Sequence, residues 1–165
     1  MVPEARWWSQ KNDSVQCHLC PHSCTLHAGG AGICGTRKYE NGSLVLKGHG
    51  GISAISTDPV EKKPLYHFYP GEPVFSIGFT GCNLHCPFCQ NFSISKVSPP
   101  AVRLLSPRRI VERLSASGCR MIAYTYSEPL VHLEYVLETA LLAKERNFRN
   151  ILVTNGYVNS EPASE

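Results

Sequence analysis

The sequence predicts an α/β fold, and three observations carry that prediction. Val74–Phe79, Met121–Tyr126 and Ile151–Thr154 are short apolar runs fit for buried strands. Helical patterns fall between them. The second and third runs lie about 30 residues apart with one helix between, the spacing of a parallel βαβ unit.

The elements follow in order. Residues 1–70 are Gly-, His- and Cys-rich with little helical periodicity. Within them Arg37–Glu40 and Ser43–Lys47 flank Asn41-Gly42, a strong two-residue hairpin signal. A second strand pattern, Gly51–Ser56, leads to residues 58–73, DPVEKKPLYHFYPGEP, whose four prolines predict an extended connector. Residues 71–165 then read as strand, loop and helix. Ser106 supplies an N-cap and Pro107 a proline at the first helical position, Ile110, Val111 and Leu114 form the apolar stripe, and Ser117-Gly118 ends the helix. Leu130, Leu133, Leu137, Ala140 and Leu141 trace one face of a longer helix that stops near Asn147. Three strands leave a pairing edge at 151–157, and the sequence ends in the polar run NSEPASE. The expectation is the front part of a longer protein, or a sheet completed by another chain. The alternative is a small open sheet guarded by the N-terminal segment.

The 165 residues suit one ordinary domain, and 42% apolar with 18% charged residues excludes wholesale disorder. A net charge of +3, with no Lys/Arg run longer than two, gives nucleic-acid or anionic-membrane binding no electrostatic case. No apolar stretch approaches the roughly 20 residues of a membrane span, and the opening MVPEARWWSQ lacks a signal-peptide core. A cytoplasmic protein with reduced thiols is expected.

Against that background the eight cysteines stand out. Cys17, Cys20, Cys24 and Cys34 form one group, Cys82, Cys86 and Cys89 another, and Cys119 is alone. Pairs two or three residues apart suit a metal centre better than a disulfide framework. The second group, in GFTGCNLHCPFCQN, follows the first strand of the α/β part, where such folds place their sites. Three thiolates this close can each hold one iron of a [4Fe–4S] cube, leaving the fourth iron to something other than cysteine. Closed zinc sites use four ligands at other spacings, although His85 could serve as a fourth.

The spacing Cys82-x3-Cys86-x-Phe88-Cys89 resembles the motif of radical S-adenosylmethionine (SAM) enzymes. DPVEKKPLYHFYPG, SIGFTGCNLHCPFCQN, AYTYSEP and the leading CHLCPHSCTLHAGGAGICGTR are similar to the AmmeMemoRadiSam group, related to pyruvate formate-lyase activating enzymes. The resemblance runs from about residue 13 to residue 157, and implies the N-terminal part of a partial (β/α) barrel. It implies that SAM chelates the open iron and is cleaved by an electron from the cluster, giving methionine and a 5′-deoxyadenosyl radical that abstracts hydrogen from a substrate. An electron donor such as flavodoxin or ferredoxin is implied as a partner. Phe88 is similar to the aromatic near adenine, or merely covers the cluster. Thr125-Tyr126-Ser127-Glu128-Pro129 resembles the Gly-Gly-Glu-Pro segment whose backbone receives the cofactor's amino group, with Tyr126 and Ser127 in place of both glycines. Ser127 and Glu128 are therefore candidate cofactor contacts, Glu128 alternatively a helix-capping acid. Thr154-Asn155-Gly156 sits on the same rim.

Around the motif, Gly81 is expected to let backbone approach the cluster, and Asn83, Gln90 and Asn91 either donate to its sulfides or serve as turn residues. Cys17, Cys20, Cys24 and Cys34 offer four thiolates for zinc or a second iron–sulfur cluster, with His18, His22 and His27 as substitutes. The metal-free reading is reduced cysteines. Lys62, Lys63 and His67 read as solvated lysines and a capping histidine, with substrate binding the alternative. His132 and Cys119 read as structural, and Trp7-Trp8 as a clamp or partner surface.

The expected function is a radical SAM enzyme acting on a protein glycine or another substrate, with no catalytic side chain assigned. The rival is a non-catalytic iron–sulfur electron carrier or a zinc-stabilised binding module.

Overall fold

The computed structural model describes residues 2–96 and 103–165 of the chain. Two small antiparallel sheets come first. Strands β1 (Trp8–Lys11), β2 (Ser14–Cys17) and β3 (Thr25–His27) form a meander, and β4 (Arg37–Glu40) and β5 (Ser43–Leu46) a hairpin. The hairpin turns at Asn41 and Gly42, with φ of 51° and 86°, the two left-handed residues a type I′ loop demands. Val15, Leu26, Tyr39 and Leu44 pack with Leu130 and Leu133, so this region shares a core with the second half of the chain.

The central sheet contains β6 (Gly51–Pro59), β7 (Pro73–Phe79), β8 (Arg103–Leu104), β9 (Met121–Thr125) and β10 (Arg149–Leu152), in the spatial order β10-β9-β7-β6-β8. β7, β9 and β10 run parallel, while β6 is antiparallel to both β7 and β8. The fold is α/β with a mixed sheet. Helices are α1 (Phe92–Ser95), α2 (Pro107–Ala116), α3 (Leu133–Glu145) and α4 (Ser160–Ala163). β9, α3 and β10 make the expected βαβ unit, and β10 is an outer strand.

Local sequence explains the helices. Ser106 Oγ accepts a hydrogen bond from the Arg109 amide and Pro107 opens α2, whose Ile110, Val111 and Leu114 are buried against the sheet residues Phe75, Ile77 and Ile122. α3 keeps most of its expected face. Leu133 is buried and Leu137 and Ala140 pack half-buried against the core, while Leu141 is 62% exposed and Tyr135, Val136, Thr139 and Ala143 extend the buried side. Leu130, also buried, belongs to a 3-10 turn, Pro129–His132, that precedes the helix.

Three boundaries also move. The strand expected to end at Tyr126 ends at Thr125, because Tyr126 is left-handed at φ 66°. The last strand lies at 149–152 rather than 151–154. β6 continues to Pro59 and pairs with β7 as far as Pro73, so segment 58–73 joins two paired strands and the sheet spans the change of composition near residue 70.

Candidate metal and cofactor site

β7 ends at Phe79 and the cysteine loop begins at the carboxyl edge of the sheet. Gly81 has φ 90° and its amide donates to the Ser95 carbonyl at 2.8 Å. A Cβ there would lie 2.7 Å from the Cys34 carbonyl oxygen. The glycine therefore admits the backbone of the N-terminal cysteine group.

Cys82 is half-buried, with the Leu84 amide 3.4 Å from its sulfur. Burial pushes its thiol above the ordinary range, opposed by that amide and by the Lys96 ammonium. Lys96 Nζ donates to the Cys82 carbonyl at 2.6 Å. Cys89 is half-buried with its sulfur 3.6 Å from Ser95 Oγ, and Cys86 is exposed. Phe88 is 85% exposed, and His85 and Gln90 also face solvent.

The rim beside this loop is built from the ends of β9 and β10. Ser127 Oγ accepts from the Phe79 amide at 3.3 Å. Glu128 is buried, and its carboxylate accepts from Leu130 N at 2.9 Å, Thr154 Oγ1 at 2.7 Å and Asn155 N at 2.7 Å. The acid caps the 3-10 turn and ties the two strand ends together. All three bonds are internal to the fold.

Asn83, inside the cysteine loop, is buried rather than turned toward a sulfide of that loop. Its amide nitrogen donates to Tyr157 O at 2.8 Å, its amide oxygen accepts from Asn155 Nδ2 at 2.9 Å, and its carbonyl is 2.8 Å from His22 Nε2. One residue of the second cysteine group thus reaches the first.

Cys17, Cys20, Cys24 and Cys34 line one small pocket with Arg37 and Val131. Cys24 and Cys34 sulfurs both lie 3.7 Å from the Cβ position of Gly32. Burial pushes the Cys17 thiol up to about 11, against the Leu19 amide and the Arg37 charge. His22 is committed to Asn83 and His18 Nε2 to Ser9 Oγ at 2.8 Å. Among the described residues no three His, Cys, Asp or Glu side chains already surround a common point at ligand distance.

Sequence reasoning missed one charged group here. Lys63, expected to be solvated, is buried and donates to Asp58 Oδ2 at 2.8 Å, while Lys62 stays exposed. Tyr126 OH donates to the same carboxylate oxygen. A charged residue five positions after an acid in a proline-rich run was the available signal. His67 is exposed; His132 and Cys119 are buried and structural as expected, and Trp7 and Trp8 pack against the N-terminal core.

The residues of the second group fit an iron–sulfur cube. They are three soft thiolate donors on one loop, with an amide and a hydroxyl already facing two of the sulfurs. They follow β7, one of the parallel strands of an α/β sheet. A family model described as the radical SAM superfamily matches residues 76–164, and the chain belongs to that superfamily. Membership implies a [4Fe–4S] cluster and SAM.

The chain is 40% identical over 162 residues to an uncharacterized protein of Methanocaldococcus jannaschii, covering 96% of this chain and 49% of that one. It is 25% identical to a second uncharacterized protein of the same organism, covering 92% of this chain and 42% of that one. A 7-carboxy-7-deazaguanine synthase of Methanothermobacter thermautotrophicus is 32% identical over 87 residues, 51% of this chain and 33% of the synthase. The chain thus spans about half the length or less of the curated relatives it matches. No solved structure gives a significant match. No helix among the described residues is long and apolar enough to cross a membrane.

Proposed function

We propose that this chain carries the cluster-binding part of a radical SAM enzyme, with Cys82, Cys86 and Cys89 holding a [4Fe–4S] cluster. The observation that supports it is the three-cysteine loop at the carboxyl edge of β7, inside the matched region. When bound, the cluster would supply the electron that cleaves SAM to methionine and a 5′-deoxyadenosyl radical.

The chain's own residues have definable parts in this. The Leu84 amide and Ser95 hydroxyl donate toward sulfur, which favours the thiolate form and lowers the electron density on the ligands. Lys96 adds a positive charge beside Cys82. Phe88 presents an unpacked ring on which adenine can stack. The backbone at Tyr126 and Ser127, held by the Glu128 brace, offers polar groups to the cofactor's amino acid end.

Kinship with the activating enzymes would make a protein glycine the substrate, with flavodoxin or ferredoxin in the cytoplasm as donor, whereas a place in the AmmeMemoRadiSam group specifies no substrate. The synthase relative supports a small-molecule substrate instead.

Anaerobic reconstitution tests the reading. Adding SAM should change the electron paramagnetic spectrum of the reduced cluster, and dithionite should release 5′-deoxyadenosine. A SAM-dependent spectral change that survives Cys82→Ala, Cys86→Ala and Cys89→Ala together, or a cluster indifferent to SAM in the unaltered chain, overturns it.

A further inference from the structure

We propose that Cys17, Cys20, Cys24 and Cys34 form a second, separate metal site that holds a single tetrahedral zinc ion. Arg37 is its buried charge partner, and Asn83 links it to the cysteine loop.

Four observations support this. The first is convergence. Cysteines from the end of β2, from the turn after it, from just before β3 and from just before β4 all line one pocket. The meander and the Gly32 turn, whose amide donates to the Arg37 carbonyl at 2.8 Å, bring them there across 18 positions. Four thiolates are a complete set for zinc, with no position left open for a substrate.

The second is proximity. The Cys24 and Cys34 sulfurs both stand 3.7 Å from one point beside Gly32, and Cys17 and Cys20 line the same pocket. Four protein thiolates close a tetrahedron around one ion.

The third is hydrogen bonding to sulfur. The Thr36 hydroxyl lies 3.2 Å from the Cys34 sulfur. Such a donor has little to gain from a thiol and much from a metal-bound thiolate.

The fourth is an orphaned donor. Arg37 is 1% exposed, lines the pocket, and gives its two terminal nitrogens to Arg6 O and the Glu134 carboxylate. Its Nε has no partner. A buried N–H left unsatisfied costs about 1–3 kcal/mol. Beside a zinc–tetrathiolate of net charge −2 it gains an anionic acceptor, and its positive charge offsets part of that of the complex.

Zinc binding would displace the thiol protons as zinc–sulfur bonds form, with no change of oxidation state. The role is structural: the ion fixes the Cys34 segment that packs on Gly81 and the Asn83 contact, and so holds the cysteine loop on the sheet edge.

The test uses the full chain with Cys82, Cys86 and Cys89 replaced by alanine, which separates this site from the cluster reading. Purified air-free, loaded with zinc sulfate and passed over a desalting column, it should retain one zinc per chain. Cobalt(II) in its place should give the thiolate-to-metal charge-transfer bands and intense visible absorption of a tetrahedral sulfur site. Adding Cys24→Ser and Cys34→Ser should abolish both. Arg37→Gln should weaken zinc retention about 10- to 100-fold against a competing chelator. Because it also removes the Glu134 ion pair, Leu44→Ala serves as a control that destabilises the same region without touching the pocket. About four irons bound per chain in the triple variant overturns the proposal in favour of a second cluster. Retention of no metal, or of zinc unaffected by the serine variants, overturns it outright.

Discussion

Gly81 and Cys34 meet so closely that no other side chain fits at position 81. A Cβ would stand 2.7 Å from the Cys34 carbonyl oxygen, and φ at Gly81 is 90°. The loop of one cysteine group is thereby seated on the backbone of the other. Gly81→Ala should cost about 1–3 kcal/mol from the left-handed backbone alone, with the clash added. Denaturant unfolding measures the loss. Iron retained after reconstitution should fall in the same variant, because the alanine must displace Cys82's own loop to enter. An unchanged stability and iron content would refute the close packing.

A buried ion pair anchors the N-terminal sheets to α3. Arg37 Nη2 donates to Glu134 Oε2 at 2.7 Å and Oε1 at 2.9 Å, and the Arg6 amide donates to Oε1 at 2.7 Å. Removing one partner leaves a charge stranded away from water, which costs more than the pair itself contributes. Glu134→Ala should therefore destabilise by about 3–5 kcal/mol. Limited proteolysis should cut the segment before residue 50 first, since this ion pair is one of its ties to the rest of the chain. A loss under 1 kcal/mol would mean that Arg37 finds solvent without its partner.

Local signals made part of this structure readable beforehand. Asn41-Gly42 needs only its own left-handed backbone to turn a hairpin, and Ser106-Pro107 caps α2 from within one turn. The cysteine loop was legible for the same reason, as its three thiols fall within eight residues. What could not be read depends on distant partners. β1, β2 and β3 are three or four residues each, too short for alternation to show. Asn83 looked like a turn residue because His22, Asn155 and Tyr157, which hold it, lie 61 to 74 positions away. Lys63 looked solvated because nothing local says that Tyr126, from β9's end, closes over it with the ammonium 4.7 Å from the ring centre.

That closure predicts the effect of Asp58→Asn. Burial pushes the Asp58 carboxyl up, but hydrogen bonds from Lys63, Tyr126 and Ser76 outweigh it and hold the group well below the usual carboxylate range. Neutralising it would leave the Lys63 ammonium buried without a counter-charge. The expected loss is about 3–5 kcal/mol. Asp58→Asn combined with Lys63→Met should recover most of it, as a well-packed apolar residue can replace a buried charge. If the double variant is no more stable than the single, the loss lies in the Tyr126 hydrogen bond instead. Because this carboxyl's folded pKa is depressed, its contribution is full above the unfolded value near 3.8 and is lost only in stronger acid.

His132 sets the stability at milder acidity. The ring is fully buried, stacked on Phe79 at 5.0 Å between centroids, with Nε2 2.8 Å from the Thr80 carbonyl. The acceptor places the single proton on Nε2, and Nδ1 has no partner. A second proton would sit on that unpaired nitrogen in an apolar site near Arg37, so burial, then the Arg37 charge, depress the pKa from 6.5 to about 4 against the Thr80 bond. Between those values the unfolded chain binds the proton and the folded chain does not. Stability is therefore full above pH 6.5 and falls as pH drops toward 4, by about 2 kcal/mol between pH 7 and pH 5. Urea unfolding at a series of pH values reads this directly. His132→Gln, able to donate to Thr80 without titrating, should be flatter across the same window even if less stable at pH 7. A variant that keeps the full slope would assign the proton uptake to a different group.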